Sequence, residues 1–158
     1  MSIPTLFTIG YEKRTLDQYL AILVAAGIRV VVDVRETAWS HKPGFSKSSF
    51  AAGLAEVGIE YVHAPFAGNP KALRRMARTH AECLDRFRAY LTGAADVLDS
   101  LDAVIERYQK EGKPIALTCF ERHPDDCHRA ILADQWARRG RRRVKHLEPE
   151  GCRRLVAS

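Results

Sequence analysis

The chain has no apolar run approaching the ~20 residues needed to cross a bilayer, so a membrane-spanning helix is excluded. It has only four cysteines, Cys83, Cys119, Cys127 and Cys152, in 158 residues. That is too few for a disulfide scaffold in a chain long enough to build its own core. Residues 1–10 lack the basic start and the long apolar run of a signal peptide. A cytoplasmic protein with reduced thiols is the expectation. No internal repeat, low-complexity tract or linker-like stretch interrupts the sequence. No G-x-G-x-x-G surrounds Gly10, so the dinucleotide fingerprint is missing. No C-x-x-C pair is present either, which weakens any reading as an ordinary zinc module.

What is present is a domain's worth of ordinary globular composition, 46% hydrophobic and 28% charged. Residues 1–158 are expected to form one domain. The 25 Lys and Arg outnumber the 19 Asp and Glu, for a formal charge of +6. A basic domain of this size favours anionic partners: nucleic acid, nucleotides or phosphorylated metabolites.

Short apolar runs alternate with helical patterns. Leu6 to Ile9 predicts a strand ending at Gly10. Thr15-Leu16-Asp17-Gln18 is a capping box opening a helix that stops at Gly27. Val30-Val31-Val32 has the continuous β-branched character of a strand covered on both faces. It runs into Asp33-Val34-Arg35. Pro43-Gly44 punctuates a loop, Ser46 caps a second helix, and Ile59 to His63 predicts a third strand. Residues 63–80 read as irregular, 81–91 as helix, and 94–110 as a strongly amphipathic helix. Pro114 to Cys119 predicts a fourth strand. Pro124 and the Asp125-Asp126 pair mark another helix start, and Val144 to Leu147 a last strand. Such alternation predicts a Rossmann-like three-layer α/β sandwich with a mostly parallel five-stranded sheet. The expected strand order is 3-2-1-4-5, with 2-1-3-4-5 as its competitor.

In a parallel sheet every segment that follows a strand emerges on one edge, where ligands bind. Four segments should therefore converge: Gly10-Tyr11-Glu12, Asp33-Val34-Arg35, residues 63–80, and Cys119-Phe120-Glu121 leading to Cys127-His128-Arg129. Asp33 and Glu121 are candidate acid or base groups, with Cys127 and His128 assisting. Arg35 and Arg129 are candidate anion clamps, Arg129 from the first turn of a helix. Gly10, Tyr11, Arg74 and Arg75 are further candidates for binding the substrate. Lys71, Arg74, Arg75 and Arg78, with no acid among them, suggest an electropositive rim. Asp33 with Arg35 equally fits a structural ion pair, and the cysteines fit three readings. Cys127 could be a nucleophile, Cys119, Cys127 and His128 could hold zinc, or both thiols could be small buried groups. The Arg138–Arg143 run closes a helix and falls on the opposite edge. It reads as a solvated turn matched to the helix dipole, with nucleic-acid contact as the lesser option.

Thr8-Ile9-Gly10-Tyr11-Glu12, Asp33-Val34-Arg35, Ser40, Pro43-Gly44-Phe45-Ser46, Gly58-Ile59-Glu60-Tyr61 and Cys119-Phe120-Glu121 with Cys127-His128-Arg129 occur in order. Together they resemble the uncharacterised bacterial and archaeal DUF488 family, along nearly the whole chain. The C-x7-C-H-R element is the most diagnostic part. The resemblance implies an α/β protein in which Asp33, Arg35, Glu121, Cys127, His128 and Arg129 share a site. Two places depart from the family pattern. Ala38-Trp39 stands where a proline often follows, and Ala67-Gly68-Asn69 where Leu-Gly-Gly is usual. Both alter loop shape and ligand fit. The leading expectation is a small enzyme or binding domain for a nucleotide-like or nucleic-acid-derived anion. The alternatives are a non-catalytic nucleic-acid accessory domain and a zinc module on Cys119, Cys127 and His128. No cofactor is indicated by the sequence.

Overall fold

A computed structural model describes residues 3–147. Cys152 lies outside the described residues. Five strands, β1 (Thr5–Gly10), β2 (Val30–Asp33), β3 (Glu60–His63), β4 (Ile115–Cys119) and β5 (Arg143–His146), form one sheet with every pairing parallel. Among the described residues six helices connect them: α1 (Leu16–Ala25), α2 (Lys47–Glu56), α3 (Lys71–Met76), α4 (His80–Thr92), α5 (Ala95–Lys110) and α6 (His128–Ala137). The α/β layering expected from the sequence is the observed one.

The strand order is not. The sheet runs β3-β2-β4-β1-β5, so β1 and β4 exchange the places expected for them. Strand β4 pairs with both β1 and β2 and so separates them; like β2, it is buried at every residue. Strand β4 is the middle of the sheet, and β5, with three exposed residues of four, takes the edge beside β1.

One face of the sheet packs Ile9, Val31 and Ala116 against Tyr19, Leu20 and Leu23 of α1 and Phe50 and Leu54 of α2. The other packs Leu6, Val30, Val32, Ile115 and Leu117 against α4, α5 and α6 through Phe87, Leu101, Ile105, Leu132 and Trp136. The amphipathic stripe of α5 is thus the core-facing side of the second layer. Thr15 caps α1 with both halves of the predicted box: Gln18 N–H donates to its hydroxyl, and its own N–H donates to the Gln18 side chain. Residues 63–80 are more ordered than expected. They hold a 3₁₀ turn, Pro65–Ala67, and the short helix α3. The helix expected from Pro124 divides into a 3₁₀ turn, Pro124–Asp126, and α6, which begins after Cys127. No helix among the described residues is long and apolar enough to cross a membrane.

Candidate active site

The register places the carboxyl ends of three neighbouring strands side by side. Asp33 of β2 lies opposite Thr118, and Gly10 of β1 opposite Cys119, so β4 delivers its last residue between the other two. Above this edge lies a cleft of about 730 Å³, within the usual range for small-ligand sites. Its floor carries Tyr11, Cys119, Glu121 and His128, and its walls carry Lys13, Arg35, Trp39, Lys42, Arg74 and Phe120.

Asp33 is fully buried and saturated with donors. Arg35 reaches it through Nε at 2.9 Å, Nη2 at 2.7 Å and its own backbone N–H at 3.1 Å; the Tyr61 hydroxyl donates at 2.6 Å. No carboxylate oxygen is left to take a proton from a ligand. The remaining Arg35 nitrogen, Nη1, donates to the Tyr11 hydroxyl at 3.1 Å. Burial works against the Arg35 charge, but Asp33 more than offsets it and holds the guanidinium firmly protonated. The Tyr61 hydroxyl is pushed up by burial first and then by Asp33. Tyr11 is in turn stacked on Phe45, with centroids 4.4 Å apart. Asp33 thus holds Arg35 and Tyr61, and Arg35 in turn reaches Tyr11.

Arg129 is also fully buried and does not line the cleft. Its Nη1 donates to the Glu121 carbonyl and its Nη2 to the Arg122 carbonyl, so it ties down the loop joining β4 to α6. Gly10 serves the same loop. A side chain on Gly10 would overlap the Glu121 carbonyl oxygen and stand 3.0 Å from Arg129 Nη1. Glycine lets the two chains approach, as Glu12 N–H then pairs with the Phe120 carbonyl at 2.8 Å.

Cys119, Cys127 and His128 do come together, each buried, with their donor atoms within 4.8 Å of one another. His128 Nε2 lies 2.8 Å from the Val34 carbonyl, and Nδ1 lies 3.6 Å from Cys119 Sγ. A carbonyl only accepts, so Nε2 carries the proton and Nδ1 faces the sulfurs. Burial opposes charge on Cys127, but hydrogen bonds from Cys119 and His128 and the Arg129 charge hold its thiol well below the ordinary range. Its place as N-cap of α6 acts in the same direction. Cys119 is raised by its hydrogen bond to Cys127 and by burial. Glu121 is pushed up to about 7, by burial first and then by the neighbouring Cys127.

Of the expected basic rim, only Arg74 reaches the cleft, and it is shared with Glu36 at 3.3 Å. Arg75 is exposed on α3 away from it. The Arg138–Arg143 run is largely paired. Arg138 bonds Asp134, Arg139 bonds Asp99, and Arg142 bonds Asp102 while covering the Trp136 ring. Trp39 and Phe120 enter the sequence reading only as parts of motifs, and Lys42 not at all. The signal for them is position: all stand in segments following β2 or β4, and so at the carboxyl edge of the sheet.

These features define a three-layer α/β protein whose all-parallel sheet opens on a cleft at its carboxyl edge. The chain belongs to the DUF488 family, matching the description "Domain of unknown function DUF488" over residues 15–136. No curated protein matches it. Two crystal structures described as "Putative phosphatase (DUF442)" from Shewanella putrefaciens CN-32 are similar to it. The first is 16% identical with a TM-score of 0.49, covering 85% of this chain and 66% of that one. The second is 15% identical with a TM-score of 0.48, covering 87% and 65%. The chain thus spans slightly less than two thirds of the length of those neighbours.

Proposed function

We propose that the cleft binds a nucleotide-like anion and that Cys119, Glu121 and His128 on its floor act on it. One observation carries the reading. The cleft combines two exposed aromatic side chains, Trp39 at 57% and Phe120 at 43%, with the cations Lys13, Lys42 and Arg74. A large apolar ring left in water is a stacking platform when it borders a pocket, and every nucleobase offers a π-face to it. The cations supply what a phosphate needs. Lys13 adds a second sign: it is the non-glycine residue that adopts a positive φ, 60°, among the described residues. Backbone strain of this kind gathers at ligand sites.

Fluorescence tests this directly. Trp136 is buried in the core at 1% exposure, whereas Trp39 lies at the cleft. Titration with nucleoside monophosphates should quench the Trp39 emission saturably, and Trp39→Phe should abolish that signal. Ribose phosphate, which lacks the base, should bind more weakly. Absence of saturable quenching up to about 1 mM, the level of −4.1 kcal/mol, defeats the proposal. A steep, sequence-tolerant salt dependence with oligonucleotides, and none with mononucleotides, would favour the accessory-domain reading instead.

A further inference from the structure

The geometry points to a zinc site formed by Cys119, Cys127 and His128, with one face open to the cleft. It rests on these three side chains alone and holds whether or not a nucleotide occupies the space above them.

The spacing of the donors is the first argument. A tetrahedral zinc ion about 2.3 Å from sulfur and about 2.0–2.1 Å from nitrogen sets its ligands roughly 3.5–3.8 Å apart. Cys119 Sγ and His128 Nδ1 are 3.6 Å apart, and all three donor atoms lie within 4.8 Å of each other. The side chains need only small adjustments to close on an ion.

The second argument is the imidazole. Nε2 is committed to the Val34 carbonyl at 2.8 Å, which turns Nδ1 toward the sulfurs, where a metal ion would take the place of its proton. The ring is further fixed edge-on against Phe87, with centroids 5.2 Å apart. Zinc-bound histidines are held in this way, with the outer nitrogen donating to a carbonyl or carboxylate.

The third is the rigidity of the loop. Seven residues separate the two cysteines. The loop between them is pinned by Arg129 on the Glu121 and Arg122 carbonyls and by the 3₁₀ turn Pro124–Asp126. The site is thus prearranged by groups that are not themselves ligands. This explains how the chain does without the C-x-x-C spacing that usually brings two thiolates together.

Ligand type selects the metal. Two thiolates and an imidazole suit zinc and disfavour magnesium, calcium and manganese, which prefer oxygen. Ligand number then suggests the use. Cys119 and His128 line the cleft together with Glu121, while Cys127 lies behind them at 1% exposure. Three protein ligands with a fourth position toward a pocket is the pattern of catalytic rather than structural zinc.

The test uses full-length protein without a histidine tag, stripped with chelator under reducing conditions and titrated with cobalt(II). Uptake should saturate at one equivalent. The spectrum should show the visible bands of a tetrahedral ion and a thiolate-to-cobalt charge-transfer band. Zinc should displace the cobalt and raise the Tm by several degrees. Cys119→Ser and Cys127→Ser should each lose one thiolate's share of the charge-transfer intensity, while Cys83→Ser keeps the full spectrum. If either variant fails to fold, the wild-type titration still decides. No cobalt uptake, a spectrum without a thiolate band, or an unchanged spectrum in a folded Cys127→Ser variant overturns the assignment.

Discussion

Replacing Asp33 by Asn separates a working carboxylate from a positioning one. Asparagine keeps the shape but loses the charge, and its amide nitrogen must face donors at either position: Arg35 Nε and N–H in place of Oδ1, or Arg35 Nη2 and the Tyr61 hydroxyl in place of Oδ2. Arg35 is only 6% exposed, so its charge would be left in the interior without its partner. Breaking one side of a buried pair costs about 3–5 kcal/mol. Against a total stability of about 5–15 kcal/mol, this is a large fraction. Urea unfolding reads it out. With m of about 1–3 kcal/mol/M, the midpoint should fall by more than about 1 M at unchanged m. Tyr61→Phe alone should cost about 1.5–3 kcal/mol, the value of a hydrogen bond to a charged group. In the Asp33→Asn background it should cost far less, giving a coupling of at least about 1 kcal/mol. A loss below about 1 kcal/mol, with ligand binding abolished, would refute this reasoning. Asp33 would then be meeting the ligand, as the sequence alone allowed.

Two further substitutions probe the loop that joins β4 to α6. Gly10→Ala would bring a methyl group onto the Glu121 carbonyl, 2.6 Å from its carbon, where backbone cannot yield cheaply. It should destabilise the protein by about 1–3 kcal/mol or more and displace the loop, measurable by urea midpoint and by faster amide exchange at 119–123. Wild-type stability in this variant would show that the close approach is not required. Arg129→Ala should cost about 2–4 kcal/mol, since a fully buried side chain and two carbonyl partners are lost together. An unchanged unfolding midpoint accompanied by loss of nucleotide binding would return Arg129 to the role of anion clamp.

The sequence located the sheet edge where these side chains meet better than it located the direction each of them takes, and the reason is physical. Convergence depends only on the strands being parallel. Exchanging β1 and β4 therefore left Gly10, Asp33 and Cys119 on one rim, because β2, β4 and β1 are neighbours in the observed order as well. Neighbour order itself is not written in any local pattern. It is a matter of long-range pairing: β4 pairs with both β1 and β2, and the equal burial of β2 and β4 does not tell them apart. Side-chain direction is harder still. Arg129 sits on the first turn of α6, as expected, yet its guanidinium turns into the loop because Glu121 and Arg122 carbonyls lie within reach. The Arg138–Arg143 run shows the same limit. Its partners Asp99 and Asp102 come from α5, more than thirty residues earlier in the chain. Charge along a sequence counts cations without showing which have been neutralised by folding. Cys119, Cys127 and His128 are the contrasting case. Two of them adjoin in sequence and the third ends the strand that feeds the loop, so local connectivity alone nearly fixes their meeting. What it could not supply is the Val34 carbonyl, from a different strand exit, that sets the tautomer of His128. A metal reading rests as much on that outer hydrogen bond as on the sulfurs, and a spacing rule built on cysteines alone would overlook it.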